Sequence, residues 1–302
     1  MPAAPDRPPL HPRHLPVWLG VGAGWLLAHL PWPLQRRLGV VLGLLLPWLL
    51  PGRRRVAARN LELCFPELGE AARAGLLAQH FRELGIGLFE FLRAWWGGVG
   101  PMRGRTRIEG LGPVLELLAR GRGVLLVSGH FTTLEICGRL LCDRLPVAGM
   151  YRPHATAPME WAVRKGRLRY ATAMFTRDEL RAAVRHLRQG GVLWYAPDQD
   201  MRGKDSVFAP FFGLPAASIT ATHQLARLTG AAVVPFFHRR EGDRYLIRLA
   251  PPLEPFPTDD AQADTARVNA AIEAMVREAP AQYLWLHKRF KRRPPGAQAL
   301  YR

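Results

Sequence analysis

From Gly110 onward, short apolar runs rich in β-branched residues alternate with segments of helical periodicity. Few folds accommodate that pattern. GVLLVS (123–128), VAGMY (147–151), GVLWYAP (191–197), AAVVPFFH (231–238) and RYLIRLA (244–250) read as strands, with TAMFT as a shorter one. Between them FTTLEICGRLLC, PMEWAVRKGRLR, DELRAAVRHLRQG and SITATHQLARLTG read as helices, the last two ending at glycine. A helix over 261–279 follows, and then AQYLWLHKRF as a last helix with a basic tail. Strand–helix alternation predicts an α/β domain: a central, mostly parallel mixed sheet with an antiparallel edge, flanked by helices.

The region before this domain has a different texture. Val17–Leu34 holds eighteen residues with His29 as the one titratable member, about the lower limit for crossing a bilayer. Arg36 and Arg37 close it; Leu38–Pro51 is a second, shorter apolar run, closed by Arg53, Arg54 and Arg55. Tryptophans at 18, 25, 32 and 48 suit an interface. A cleaved signal peptide lacks a small-residue cleavage site before the arginines. A membrane anchor with its basic flank on the cytoplasmic side is preferred to that and to a buried helical hairpin. The expected division is residues 1–52 as tail and N-terminal membrane-anchoring helix and 53–302 as the catalytic domain. The latter opens with two amphipathic helices broken near Pro66.

Charge and cysteine content narrow the function. Lysine and arginine total 42 against 24 aspartate and glutamate, a net charge of +18. A polyanionic partner follows: an anionic membrane, a phosphorylated substrate, an acidic protein or nucleic acid. Nucleic acid is disfavoured, because no helix-turn-helix, ribonucleoprotein or zinc pattern occurs. Cys64, Cys137 and Cys142 form no CxxC, so no zinc site is expected and a reducing compartment is. Glycines in GLGPVLE and GRGVL do not make a nucleotide fingerprint. No metal or other cofactor is expected.

The chemistry concentrates at the ends of the strands, where ligands bind in open α/β sheets. His130 falls in the turn after GVLLVS. With Thr132 or Thr133 capping the next helix, Glu135 lies in its first turn and its carboxylate approaches the imidazole. A histidine with a carboxylate partner is a general-base pair. Ser128 is not in a GxSxG elbow, so the base activates a substrate hydroxyl directly. Arg152, Arg167 and Arg169 form a candidate phosphate grip, and Asp198 either sits in a turn or orients one of these arginines.

HFTTLE, MYRP, KGRLR, WYAPDQD, VFAPFFG and QYLWLHKRF, in this order, resemble the late acyltransferases of lipid A biosynthesis. HPRHLPVWLGVGAGWLLAHLP and RNLELCFPEL near the start fit the same group, so the likeness covers nearly the whole chain. The resemblance implies His130 and Glu135 as catalytic, and carries Gly166, Arg167 and Asp198 over as matching positions. It implies an acyl–acyl carrier protein donor, a phosphorylated, Kdo-bearing lipid A precursor as acceptor, and the inner membrane, catalytic domain facing the cytoplasm. An acyltransferase acting on a lysophospholipid or aminolipid is the alternative. Two further expectations are that VFAPFFG or the helices of 70–95 line an acyl groove, and that Gly129, where relatives carry bulkier residues, widens the site mouth.

Overall fold

The computed structural model describes residues 7–200 and 205–301. The chain opens with helices α1 (Leu15–His29), α2 (Trp32–Leu49), α3 (Pro51–Cys64), α4 (Glu70–Trp96) and α5 (Gly100–Arg103). Strand β1 (Thr106–Glu109) and α6 (Leu111–Ala119) lead into β2 (Val124–Val127), α7 (Leu134–Cys142), β3 (Val147–Tyr151), α8 (Ala157–Arg167) and β4 (Met174–Thr176). Then come α9 (Leu180–Arg188), β5 (Val192–Tyr195), a hairpin of β6 (Ser206–Phe211) and β7 (Leu214–Ile219), α10 (Ala221–Thr229), β8 (Ala232–Glu241), β9 (Arg244–Leu249) and α11 (Ala261–Glu278).

Among the described residues seven strands make the main sheet, in the order β1-β9-β8-β2-β5-β3-β4. All neighbours are parallel except β8 and β9. The expected mixed α/β sheet is therefore present, and its antiparallel step comes from the tight β8–β9 turn at Gly242, where φ is 63°. β2 lies at the centre with all four residues buried, which explains its unbroken apolar sequence. One face packs Leu187, Leu225 and Ile272 of α9, α10 and α11; the other packs Trp95, Ile136 and Val163 of α4, α7 and α8. β2, β3 and β5 all end at the same edge, the one that gathers the polar residues.

Two sequence expectations fail here. AQYLWLHKRF is not a helix: a single turn at Pro280–Gln282 gives way to extended and irregular chain. That segment is held instead by its neighbours, through an isolated bridge between Phe131 and Tyr283 and through Asn60, whose amide donates to the carbonyls of Trp285 and His287. VFAPFFG is strand β6 and its turn; Phe211 and Phe212 are buried core residues, Phe211 packed on Tyr283 and Phe290 and Phe212 on Trp285, rather than lining an open groove.

The apolar N-terminal run does not form one spanning helix. Leu30 and Pro31 break it, leaving α1 with 15 residues and α2 with 18. At 1.5 Å per residue these are about 22 and 27 Å long, against a hydrocarbon core of about 30 Å. No helix among the described residues is long and apolar enough to cross a membrane. Each of the two helices packs against α4. Gly39 and Gly43 of α2 meet Gly85 of α4 so closely that a Cβ on Gly85 would stand 2.5 Å from the Gly43 nitrogen. The buried Arg93 of α4 clamps the bend, donating to Gln35 Oε1 at 2.8 Å and to the Leu30 carbonyl at 2.6 Å. The outer face stays open: Leu19, Leu26, Val41, Leu45, Trp48 and Leu49 are each at least half exposed.

Candidate active site

The turn from β2 to α7 carries His130, as its sequence position requires. Three strands further along the chain, the segment after β5 carries Asp198. Because β2 and β5 pair in parallel, both segments leave the sheet side by side. Asp198 is 2 % exposed and grips the turn twice: Oδ2 accepts from the His130 backbone N–H at 2.7 Å, and Oδ1 lies 2.5 Å from His130 Nδ1. The turn is pinned from the far side by the C-terminal segment, with Leu284 N–H donating to the His130 carbonyl and Thr132 N–H to the Gln282 carbonyl.

Glycine at 129 belongs to this geometry. It is buried, and a Cβ there would stand 3.0 Å from Ile272 Cγ2, 3.1 Å from Tyr283 Cε2 and 3.2 Å from Asp198 Oδ2. It does not widen a mouth; it lets the backbone approach Asp198 closely enough for both bonds.

The expected pairing of His130 with Glu135 is overturned. Glu135 lies in the first turn of α7 as expected, but its carboxylate turns away into a different cluster. It accepts from Trp95 Nε1 at 2.7 Å, from the Tyr170 hydroxyl at 2.9 Å and from Arg167, whose Nε lies 3.0 Å from Oε1 and whose Nη2 also bonds Oε1. Once β2 ends, the helix axis carries Glu135 toward α4 and α8, while Asp198 arrives first at the imidazole from the adjoining strand. Asp198 accordingly holds His130 and not an arginine. Thr133 occupies the N-cap position of α7, yet its side chain makes no cap bond.

The expected arginine grip also separates. Arg167, with 17 % of its side chain exposed, is committed to Glu135 and stacked between the rings of Tyr151 (5.6 Å) and Trp95 (5.9 Å). Arg169 donates to the Trp95 carbonyl at 2.9 Å, and Arg152 stands exposed beyond β3. Gly166 touches no open site: its Cβ position lies 2.7 Å from Trp95 Cβ, so glycine is what lets α8 close on α4 and deliver Arg167 to Glu135. Sequence reasoning missed Trp95 and Tyr170 as partners of Glu135. The Trp95–Trp96 pair at the end of an amphipathic helix was the available signal for the first; Tyr170 offered none.

Burial and charge oppose each other at every group. Burial pulls the His130 pKa down, but the Asp198 carboxylate outweighs it and leaves it raised, against a smaller downward push from Arg167. Burial pushes Asp198 up, but the charge and bonds of His130 win and lower it to about 2. Glu135 is likewise lowered, because Arg167 overcomes its desolvation. With Nδ1 taken by Asp198, Nε2 of a 28 % exposed imidazole is the nitrogen open to a reactant. Trp194 and His287 flank the ring at 6.3 and 6.5 Å between centroids.

A parallel-centred α/β sheet with a carboxylate-held histidine at its carboxyl edge defines an α/β enzyme whose chemistry sits outside the strand ends. Comparison with known proteins makes this specific. The family model described as bacterial lipid A biosynthesis acyltransferase matches residues 5–292. The chain is 40% identical over 295 residues to the lipid A biosynthesis lauroyltransferase of Escherichia coli K12, covering 97% of this chain and 96% of that one. It is 40% identical, with the same coverage, to the palmitoleoyltransferase of the same organism, and 28% identical to its myristoyltransferase over 96% and 91% of the two chains. The chain belongs to the bacterial lipid A biosynthesis acyltransferase family.

Proposed function

We propose that this acyltransferase moves a fatty acyl chain from acyl–acyl carrier protein to a hydroxyl of a Kdo-bearing lipid A precursor. The observation that carries the mechanism is the His130–Asp198 pair. Asp198 fixes the tautomer with the proton on Nδ1, so Nε2 takes the proton from the acceptor hydroxyl. The oxygen attacks the thioester carbonyl, the carbon–sulfur bond breaks, and His130 returns the proton to the departing thiolate. Asp198 stabilises the imidazolium in between. Glu135 acts one step removed: it holds Arg167 in place, and Arg167 supplies positive charge beside the reacting atoms or to an acceptor phosphate. Arg152 and Arg169 extend that charge outward.

The two N-terminal helices supply the setting. A row of exposed apolar side chains such as Leu19, Leu45 and Trp48 marks a contact with another apolar phase. We take it to lie in the surface of the inner membrane, α1 and α2 along the bilayer and not through it. Arg36, Arg37 and Arg53–Arg55 then reach anionic headgroups. The catalytic edge would face the cytoplasm, where the acidic carrier protein delivers its thioester.

The test is acyl transfer itself. Membranes holding the protein are mixed with lauroyl-, myristoyl- or palmitoleoyl-acyl carrier protein and a Kdo-modified tetraacyl lipid A precursor, and lipid mass is followed. A gain of one acyl group in wild type and none in His130→Ala supports both reaction and base. No gain with any of these donors, from folded membrane-bound protein, refutes the acceptor assignment.

A further inference from the structure

β8 outruns its neighbour. It pairs with β2 from Ala232 to Pro235 and then continues to Glu241. On that overhang sits His238, fully buried, beside the turn that bears His130. Its Nδ1 lies 2.9 Å from Thr133 Oγ1 and its Nε2 3.4 Å from Ser128 Oγ. The Thr133 hydroxyl also reaches the His238 carbonyl at 3.4 Å. Ser128 and Thr133 bracket His130, one at the end of β2 and one at the start of α7.

Three features set this apart from ordinary filling of a core. Thr133 stands where a threonine ordinarily caps a helix, yet its hydroxyl goes to the imidazole. Burial lowers the His238 pKa to about 3, so the ring is neutral and has one donor and one acceptor nitrogen. Hydroxyls serve as both donor and acceptor, so either tautomer satisfies both nitrogens.

We propose that His238 is a positioning residue: it clasps both ends of the Ser128–Thr133 turn and thereby sets His130 at bonding distance from Asp198. It touches no reactant and acts only through His130, so the inference rests on His130 being the base. The groups that face His130 are Asp198 after β5, Arg167 from α8 and His287 from the C-terminal segment. Loosening the turn weakens the first of these most, since it is a direct bond.

The experiment compares His238→Phe, which keeps a ring and drops both bonds, with His238→Asn, whose amide can still reach Thr133, and with Thr133→Val. Each full-length protein is assayed for acyl transfer across pH. The His130 ring is also titrated by NMR without substrate, so the outcome does not depend on the acceptor being correctly assigned. We expect His238→Phe and Thr133→Val to lower kcat ten- to a hundredfold at unchanged KM. The His130 titration and the acidic limb of the rate profile should both move to lower pH. His238→Asn should recover most of the activity, and the Phe/Val double variant should be no worse than the worse single variant. Wild-type kcat and an unmoved His130 titration in either folded variant would overturn the proposal. A kcat loss with no titration change and no rescue by asparagine would reduce His238 to packing. If His238→Phe fails to fold, Thr133→Val and His238→Asn decide the matter by the same readouts.

Discussion

Nδ1 of His130 lies 2.5 Å from Oδ1 of Asp198, a residue 68 positions further along the chain. The same carboxylate takes the His130 backbone N–H, so ring and main chain are fixed together by one buried group. The five-residue spacing of His130 and Glu135 is thus not the spacing of a pair. It places two separate devices at the start of one helix: a histidine held from the adjoining strand, and an arginine held from inside.

Asp198→Asn should keep the fold and lose most of the rate, by about 10²–10⁴ in kcat, the range for removing a positioned acid–base partner. The acidic limb moves in a defined direction. As the proposed base His130 would act unprotonated, and Asp198 raises its pKa above the ordinary 6.5. Wild-type activity should therefore fall off on the acid side at a pH above 6.5, and in Asp198→Asn that limb should shift downward. A rate profile across pH, with both substrates saturating, measures it.

Stability carries the opposite dependence. Asp198 is lowered from 3.8 to about 2, so its contribution is full above 3.8 and lost as pH falls through about 2. His130 is raised, so its contribution is full below 6.5 and lost as pH rises through its folded value. Denaturant melts should show wild type gaining over Asp198→Asn most between these limits, and losing that advantage on either side.

Glu135→Ala tests the second device. It leaves the Arg167 guanidinium buried between two rings with no counter-charge, and breaking such a pair costs about 3–5 kcal/mol. Glu135→Ala should therefore melt well below Asp198→Asn while also losing activity. Arg167→Lys should lose activity nearly as fully, because an ammonium cannot present Nε and Nη2 to one carboxylate. Chemical denaturation and acyl transfer on the same preparations separate the two effects.

The sheet was legible because its buried strands are continuous apolar runs, and because glycines such as Gly230, at φ 70°, mark where helices stop. The sequence singles out His130, Asp198, Glu135 and Arg167, and the structure gathers them at one edge of the sheet but pairs them differently. Which carboxylate met which cation depended on the β2–β5 neighbourhood, a consequence of strand order that no local spacing encodes. AQYLWLHKRF does not form the expected helix, because the Trp285 and His287 carbonyls that would bond along it are taken by Asn60 and held against α3. The N-terminal run looked like a span because its composition is apolar throughout. Pro31, and glycines spaced to meet α4, decided otherwise.

The N-terminal helices make their own prediction. Leu45→Glu with Trp48→Glu places two charges on the outer face of α2, away from the Gly39–Gly85 contact, where Trp48 is 80 % exposed. Each charge in an apolar phase costs several kcal/mol, whereas in water it costs little. The double variant should move from the membrane pellet to the supernatant without a lower melting point in detergent. Retention in the pellet would count against a bilayer-embedded face.

Two glycines separate close approach from mere permissiveness. Gly166 in α8 leaves no room: an added Cβ would stand 2.7 Å from Trp95 Cβ and 3.3 Å from its Cα, atoms that cannot swing away. Gly138 in α7 has nothing within 4 Å of its Cβ position. Gly166→Ala should push α8 off α4, cost about 1–3 kcal/mol as overpacking, and drag Arg167 away from Glu135, so activity falls along with stability. Gly138→Ala sits in the same catalytic neighbourhood, on the helix that carries Glu135, but should stabilise by up to about 1 kcal/mol through helix propensity alone and leave the rate as it is. Melting curves and acyl transfer on the two variants check this. Equal behaviour of the pair would mean that the contact of α8 with Trp95 is not what seats Arg167.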